Sequence, residues 1–211
     1  MQVQPTATVH IVDDDHQMRS LIVNIVRSIN LEPRVFASAD EFVRDYDGQP
    51  GCLVSDFKMP GMDGLELLES LNSLGICLPC ILITGHADVP LAIRAMKSHA
   101  ADMIEKPFLP QVLIESILKA VELDRRNRDS SERSLEIGRS IESLTPREKE
   151  VLEGVVSGMA NKQMAYKMDV STKTIEVHRR NMMQKMRFHS VAELVTAVTE
   201  HRLLQTENSG V

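Results

Sequence analysis

The chain has 211 residues, of which 43% are hydrophobic and 26% charged, a balance typical of globular proteins with a buried core. Its length suits one domain of ordinary size plus a smaller one. No apolar run is long enough to span a membrane, and residues 1–5 do not resemble a secretory signal, so we expect a cytoplasmic protein. The three cysteines, an odd and low number, disfavour a disulfide framework.

The net charge of −6 is unevenly distributed. Residues 1–124 carry nine basic and eighteen acidic side chains, whereas residues 161–187 carry seven basic and two acidic ones. An acidic first half suits a cation site, and a basic segment suits contact with nucleic acid. A basic segment is also compatible with an ordinary solvated helix face, so charge alone does not decide the function.

Short apolar runs alternate with helical patterns over residues 1–123, which we interpret as the first domain. Strands are predicted at residues 8–12, 34–36, 52–55, 81–84 and 102–105. Helical spacing of apolar residues is found near residues 21–29, 39–45, 64–72, 89–97 and 110–123. This alternation predicts an α/β fold with a five-stranded, doubly wound parallel sheet, in which functional residues gather where the strands end.

The composition changes after residue 123. Residues 124–143 are highly charged with few apolar residues, which predicts a linker, possibly helical. Residues 144–211 are helical in pattern and predict a second, all-α domain of four helices. Thr145, Pro146 and Glu148 form the pattern of a capping box at its first helix, and Gly158 is placed to end that helix.

A tight turn is predicted near residues 169–171, between a helix at residues 161–168 and another ending near residue 186. Ser171 or Thr172 can cap the later of these helices, and Ser190 can cap a fourth. This arrangement fits a helix-turn-helix. The alternative is that Ile175, Val177 and Met182 are all core residues and that the basic side chains merely face solvent.

Acidic residues follow two of the predicted strands. Asp13 and Asp14 follow the first strand and Asp56 follows the third. Because adjacent parallel strands would bring these carboxylates together, we expect a divalent cation to offset their repulsion, and an oxygen-only site suits Mg²⁺.

Thr84 and Lys106 end the fourth and fifth predicted strands. A hydroxyl and an ammonium group beside a carboxylate can bind the oxygens of a phosphoryl group. Asp56 is then the candidate nucleophile, forming an acyl phosphate. A single aspartate at a strand end is more often a helix cap or turn residue, so the prediction depends on all five positions occurring together.

Four motifs in this half resemble those of the receiver domains of two-component response regulators. They occupy residues 12–15, 56–64, 83–86 and 105–108, and the second matches the phosphoacceptor pattern D-x-x-M-P-x-x-x-G. The resemblance implies a CheY-like fold with Asp56 as phosphoacceptor. It also implies that Asp14, Asp56 and the backbone carbonyl of Lys58 ligate Mg²⁺, and that Asp13 acts through a water molecule.

The same resemblance implies a cis peptide between Lys106 and Pro107 and a switch role for Thr84. The chain departs from the receiver pattern at Met103, where an aromatic residue usually partners the threonine, and at His99, where a small residue is usual. Methionine can fill the aromatic residue's space flexibly, so Met103 is the candidate switch partner.

Residues 144–152, 161–165 and 171–178 resemble the four-helix DNA-binding domain of the LuxR, NarL and FixJ regulators. The resemblance implies a recognition helix in the major groove. Side chains on or near that helix are the candidate contacts to bases or phosphates: Lys162, Lys173, Thr174, Glu176, Val177, Arg179, Arg180 and Lys185. Among them, Lys162, Arg179 and Lys185 suit backbone phosphates.

The combination of the two domains is most similar to FixJ-type regulators. It implies a transcriptional regulator, which we expect to be an activator, that receives a phosphoryl group from a sensor histidine kinase. It further implies dimerisation on phosphorylation and binding to double-stranded promoter DNA. The resemblance implies a switch rather than a metabolic enzyme. The only chemistry expected of this switch is its own phosphorylation and dephosphorylation.

Two other functions compete with this interpretation. A phosphatase of the haloacid dehalogenase type would use Asp13 and Asp15 as its D-x-D motif, but His16 stands where that motif expects threonine or valine. The other alternative is a DNA-binding regulator whose first domain never accepts phosphate. The intact acidic pair, Thr84 and Lys106 argue against it.

Overall fold

The structure is a computed structural model that describes residues 7–85 and 89–209, except for the side chains of residues 89–92 and 207–209. The chain divides into two compact units between Asn127 and Arg128. Within the described ranges, no helix is both long and apolar enough to cross a membrane.

The N-terminal unit is built on a parallel five-stranded sheet. Its strands are β1 (Thr8–Val12), β2 (Glu32–Phe36), β3 (Gly51–Asp56), β4 (Cys80–Thr84) and β5 (Asp102–Glu105). The helices are α1 (His16–Ser28), α2 (Ala39–Asp45), α3 (Gly64–Ser73), α4 (Val89–Lys97) and α5 (Pro110–Glu142). The strand order is β2-β1-β3-β4-β5, which confirms the predicted doubly wound sheet and places its switch point between β1 and β3.

The three central strands are buried on both faces of the sheet. Every residue of β1, β3 and β4 is buried, and alternate residues enter two separate apolar cores. Leu53 of β3 packs in one core, and its neighbour Val54 packs in the other. This burial explains why these strands are near-continuous apolar runs in the sequence, without the alternation of a half-exposed strand.

Helix α5 continues through the charged segment that the sequence marked as a linker. Its last turns pack within the C-terminal unit. Ile137 is 7% exposed and belongs to the apolar core of that unit, against which Ile141 also packs. Ser134 Oγ lies 2.8 Å from Nδ1 of His201. The helical character of the segment was predicted, but its contribution to this core was not.

Four further helices complete the C-terminal unit: α6 (Pro146–Val156), α7 (Asn161–Met168), α8 (Thr172–Lys185) and α9 (Val191–Ser209). The predicted capping box is present, since Thr145 and Glu148 bond reciprocally to each other's backbone N–H. Ser171 caps α8 by accepting a hydrogen bond from the backbone N–H of Thr174. Gly158, with φ of +73°, follows α6 in the left-handed region, which glycine enters without strain.

Candidate functional site

The predicted pocket lies where the parallel strands end. Asp13 follows β1, Asp56 ends β3, and Lys106 follows β5. The Nζ atom of Lys106 lies 2.5 Å from Oδ1 of Asp56 and 3.4 Å from Oδ2 of Asp13. Asp13 and Asp56 are 1% and 7% exposed. The sheet thus brings two buried carboxylates together around one ammonium group.

Burial and charge perturb two groups of this pocket. Burial raises the pKa of Asp13, and the nearby charge of Asp56 raises it further, against the opposing effects of the Asp15 backbone N–H and Lys106. Burial alone would lower the pKa of Lys106, but its hydrogen bond to Asp56 and the charges of both carboxylates hold that pKa above its usual value. Lys106 is therefore a cation at neutral pH.

The loop after β3 wraps closely around Asp56. Its second carboxylate oxygen, Oδ2, accepts a hydrogen bond from the backbone N–H of Lys58 at 2.9 Å. A Cβ atom at Gly64 would lie 2.3 Å from the backbone oxygen of Asp56, so only glycine fits at that position. This contact gives a physical reason for the last glycine of the phosphoacceptor motif.

Thr84 and Met103 lie on the two strands beside the pocket. Thr84 is buried at the end of β4, and its backbone oxygen accepts from the N–H of Lys106 at 2.7 Å. Met103 pairs in register with Leu82 and is half-buried against the apolar core that contains Leu82. The peptide between Lys106 and Pro107 is cis, as predicted. The fourth residue of the Thr84 motif, His86, lies outside the described residues.

The donors around Asp56 suit an oxygen-binding cation. Within residues 7–85 and 89–209, no three His, Cys, Asp or Glu side chains form a ready-made metal-binding group. Lys106 bridges Asp13 and Asp56, and the side chain of Asp14 is exposed. The carboxylates of Asp13 and Asp56, which share one pocket, are the hard oxygen donors that Mg²⁺ prefers, so these residues fit this ion.

Helix α8 presents one polar stripe to solvent. Lys173, Glu176, Val177 and Arg180 are exposed at helical spacing, whereas Ile175 on another face of the helix is completely buried. Val177 is 44% exposed, so it is not part of the core. The exposure of Val177 argues against the interpretation that the apolar residues of α8 serve only the core.

Three other residues that are predicted to contact DNA form hydrogen bonds within the C-terminal unit. Arg179 Nη1 donates to Oδ1 of Asn161 at 2.8 Å, and Thr174 donates its backbone N–H to the Ser171 cap. Lys185 Nζ donates to Oε2 of Glu148 at 2.7 Å. Lys162 is exposed on α7.

Two residues just after α8 were not among the predicted DNA contacts. Arg187 and His189 line the same open groove as Arg180, just after α8 ends. Arg187 belongs to the basic segment of residues 161–187, which was the one available signal. Arg187 adds a positive charge beyond the end of the helix.

An ion pair between the buried Glu148 and the exposed Lys185 joins α8 to the start of α6. Glu148 is 3% exposed, and its Oε2 accepts from both Lys185 Nζ and the backbone N–H of Thr145. Burial alone would raise the pKa of Glu148, but the hydrogen bonds from Lys185 and Thr145 hold it below its usual value. The pKa of this carboxyl group is therefore lower in the folded chain than in the unfolded chain.

We expect Glu148→Gln to lower the free energy of unfolding of the C-terminal unit by about 1–2 kcal/mol, because it removes a charged acceptor from Lys185. Because folding lowers the pKa of Glu148, this residue stabilises the fold above about pH 4.5, and the stabilisation is lost as the pH falls through the pKa of the folded chain. Calorimetry of the full chain at several pH values measures both effects. The matched control is Glu150→Gln, which breaks only an exposed pair with Arg147 and should cost less than about 1 kcal/mol.

Comparison with known proteins gives the same division of the chain. Residues 9–118 match the response regulator receiver domain, and residues 142–198 match the bacterial regulatory proteins of the luxR family. The response regulator protein TodT of Pseudomonas putida is 40% identical over 92% of this chain and 86% of TodT. The transcriptional regulatory protein FixJ of Rhizobium meliloti is 42% identical over 89% of this chain and 93% of FixJ.

Solved structures match across both units. The response regulator StyR has a TM-score of 0.78 and 38% identity, covering 92% of this chain and 99% of StyR. Full-length FixJ from B. japonicum has a TM-score of 0.58 and 36% identity, covering 95% of this chain and 99% of that FixJ. These matches account for the C-terminal unit, which the phosphatase interpretation left unexplained. The chain belongs to the response regulators that join a receiver domain to a DNA-binding domain of the LuxR family.

Proposed function

We propose that phosphorylation of Asp56 controls DNA binding by helix α8. The observation that carries the proposal is the contact of Lys106 with both Asp56 and Asp13 at the end of the sheet. The carboxylate of Asp56 attacks the phosphorus atom of a phosphohistidine on a sensor kinase. An O–P bond forms as the N–P bond breaks, and the imidazole leaves. Hydrolysis by water later returns Asp56 to its free form.

Mg²⁺ is the cofactor that we assign to this chemistry, where it would neutralise charge on the phosphoryl oxygens. Asp14, Asp56 and the backbone carbonyl of Lys58 would hold it, and Asp13 would act through a water molecule. Lys106, already bonded to Asp56, is placed to pair with an oxygen of the phosphoryl group.

Replacement of Lys106 by alanine should separate metal binding from signalling. We expect Lys106→Ala to retain Mg²⁺ binding, because the oxygen donors remain, and to lose the phosphorylation-dependent change in DNA affinity. The control is Arg27→Ala, which removes an exposed cation of α1, outside the proposed dimer face, and should respond like the natural chain. Mg²⁺ titration and DNA binding with and without acetyl phosphate measure the two properties. An intact response in Lys106→Ala would contradict this role.

The DNA-binding surface that we propose is the exposed stripe of α8 with the basic residues around it. We infer that Lys173, Glu176, Val177 and Arg180 face base edges or nearby phosphates in the major groove, because all four are exposed at helical spacing. Lys162 on α7 suits a phosphate contact. Lys185 and Arg179 can contribute further N–H groups to phosphates while keeping their contacts within the unit.

Substitutions on this surface should fall into two classes. Val177→Ala or Arg180→Ala should change sequence preference, with about 1–3 kcal/mol lost for a base contact. Lys162→Ala should weaken binding to all sequences alike and reduce the salt dependence. Competition binding on a panel of DNA sequences at several salt concentrations distinguishes them. An equal loss on every sequence for all three variants would refute the assignment of the recognition helix.

A further inference from the structure

Arg19 makes a contact at the acidic pocket that neither the motifs nor the proposed chemistry uses. It lies in the first turn of α1, half-buried, and its Nη1 donates to the backbone oxygen of Asp13 at 2.6 Å. A charged donor makes this hydrogen bond stronger than a neutral one would be. Arg19 therefore holds the main chain of the loop between β1 and α1.

The other hydrogen bonds of this loop hold its side chains. Oδ1 of Asp13 accepts from the backbone N–H of Asp15 at 2.8 Å, and Oδ1 of Asp15 caps α1 by accepting from the N–H of Gln17, also at 2.8 Å. Lys106 holds the second oxygen of Asp13. The carboxylate of Asp13 is thus fixed from two sides without Arg19.

Asp14 depends on the loop main chain for its position. The carbonyl that Arg19 holds belongs to the peptide group between Asp13 and Asp14, and a peptide group is planar. The orientation of this carbonyl therefore sets where the Cα atom of Asp14 lies. Asp14 is exposed, so packing does little to fix it, and the backbone sets the point from which its side chain extends.

We propose that Arg19 is a positioning residue of the Mg²⁺ site, which directs the carboxylate of Asp14 towards Asp56 by fixing the intervening peptide. The inference rests on the proposed function, in which Asp14 is a metal ligand. Groups that orient a ligand without touching the metal commonly change its affinity strongly when they are removed.

Because Arg19 is charged, the direction of the change in Mg²⁺ affinity on its removal tests the inference. A guanidinium beside a cation site repels the cation, so its removal should strengthen Mg²⁺ binding if charge is all that matters. If Arg19 positions Asp14, its removal should weaken Mg²⁺ binding. The two roles predict opposite changes in the same dissociation constant.

The test is titration of the full-length chain with MgCl₂ in an isothermal calorimeter. We expect Arg19→Met, which cannot donate to the Asp13 carbonyl, to raise the Kd for Mg²⁺ about tenfold. Arg19→Lys retains a charged donor and should recover most of the affinity. Arg27→Met removes an exposed arginine from the last turn of the same helix and should leave the Kd unchanged.

Circular dichroism of each variant shows whether the fold is retained, and Arg19→Gln provides a second neutral variant should Arg19→Met fail to fold. An unchanged or lower Kd in a folded neutral variant would overturn the inference. Natural protein that binds no Mg²⁺ would overturn the proposed function and the inference together. Natural protein that binds Mg²⁺ no better than Arg19→Met would overturn the inference alone.

Discussion

Replacement of Asp56 by asparagine should abolish phosphorylation of the chain. The amide is not a nucleophile that can form an acyl phosphate, and it also removes the charge that holds Lys106. We expect acetyl phosphate with Mg²⁺ to add one phosphoryl group to the natural chain and none to Asp56→Asn, as measured by intact mass. The matched control is Asp15→Asn, because asparagine caps a helix as well as aspartate does and Asp15 lies in the same acidic loop.

Phosphorylation of the control should match that of the natural chain. Transfer of the phosphoryl group to Asp13 or Asp15 in Asp56→Asn would contradict the receiver assignment. This outcome would also revive the phosphatase interpretation, in which those two aspartates carry the chemistry. The mass of peptides around each aspartate distinguishes the acceptors.

A phosphate mimic should convert the chain from monomer to dimer. A single helix-turn-helix contacts few base pairs, so a specific genomic site needs two copies on half-sites about one helical turn apart. We propose that the receiver dimerises through the face formed by α4, β5 and α5, where Ile93 and Met96 of α4 are 48% and 77% exposed. The sequence also predicts Val89 on this face, but its side chain lies outside the described residues.

The physical cause that we propose is a population shift. We expect a phosphoryl group on Asp56 to draw Thr84 inward and Met103 to repack into the space that Thr84 leaves. The ratio of the phosphate affinities of the two conformations sets how far the equilibrium between them moves. Sedimentation with beryllium trifluoride should show a dimer for the natural chain and a monomer for Asp56→Asn. A monomer at micromolar concentration, with the mimic demonstrably bound, would refute dimerisation as the switch.

The sequence predicted the bounds of five elements correctly. The bounds of β1, β5, α2, α4 and α7 coincide with the prediction. The burial of Ile137 was not predicted, because its segment is mostly charged and its apolar partners lie elsewhere in the C-terminal unit. Periodicity shows which face of a helix is apolar, but it does not show what that face packs against.

The pocket residues were predictable for a topological reason. Parallel strands end at the same edge of the sheet, and β1 and β3 are neighbours there, so Asp13 and Asp56 could be placed together once the fold was predicted. Lys106 follows β5, which β4 separates from β3, and it reaches Asp56 through its long side chain. Contacts between a helix and a loop, or between two helices, have no such rule. The hydrogen bond of Arg19 and the ion pair of Lys185 depend on how long side chains cross between elements, which spacing does not encode.

The central claim is that phosphate on Asp56 changes DNA binding. The most direct measurement is the Kd of the full-length chain for DNA fragments that it selects from genomic DNA, with and without acetyl phosphate and Mg²⁺. We expect phosphorylation to tighten binding about 5–150-fold, the usual range of coupling between two sites, and to leave Asp56→Asn unchanged. Equal affinity of phosphorylated and unphosphorylated natural chain, with phosphoryl incorporation confirmed by mass, would contradict the account.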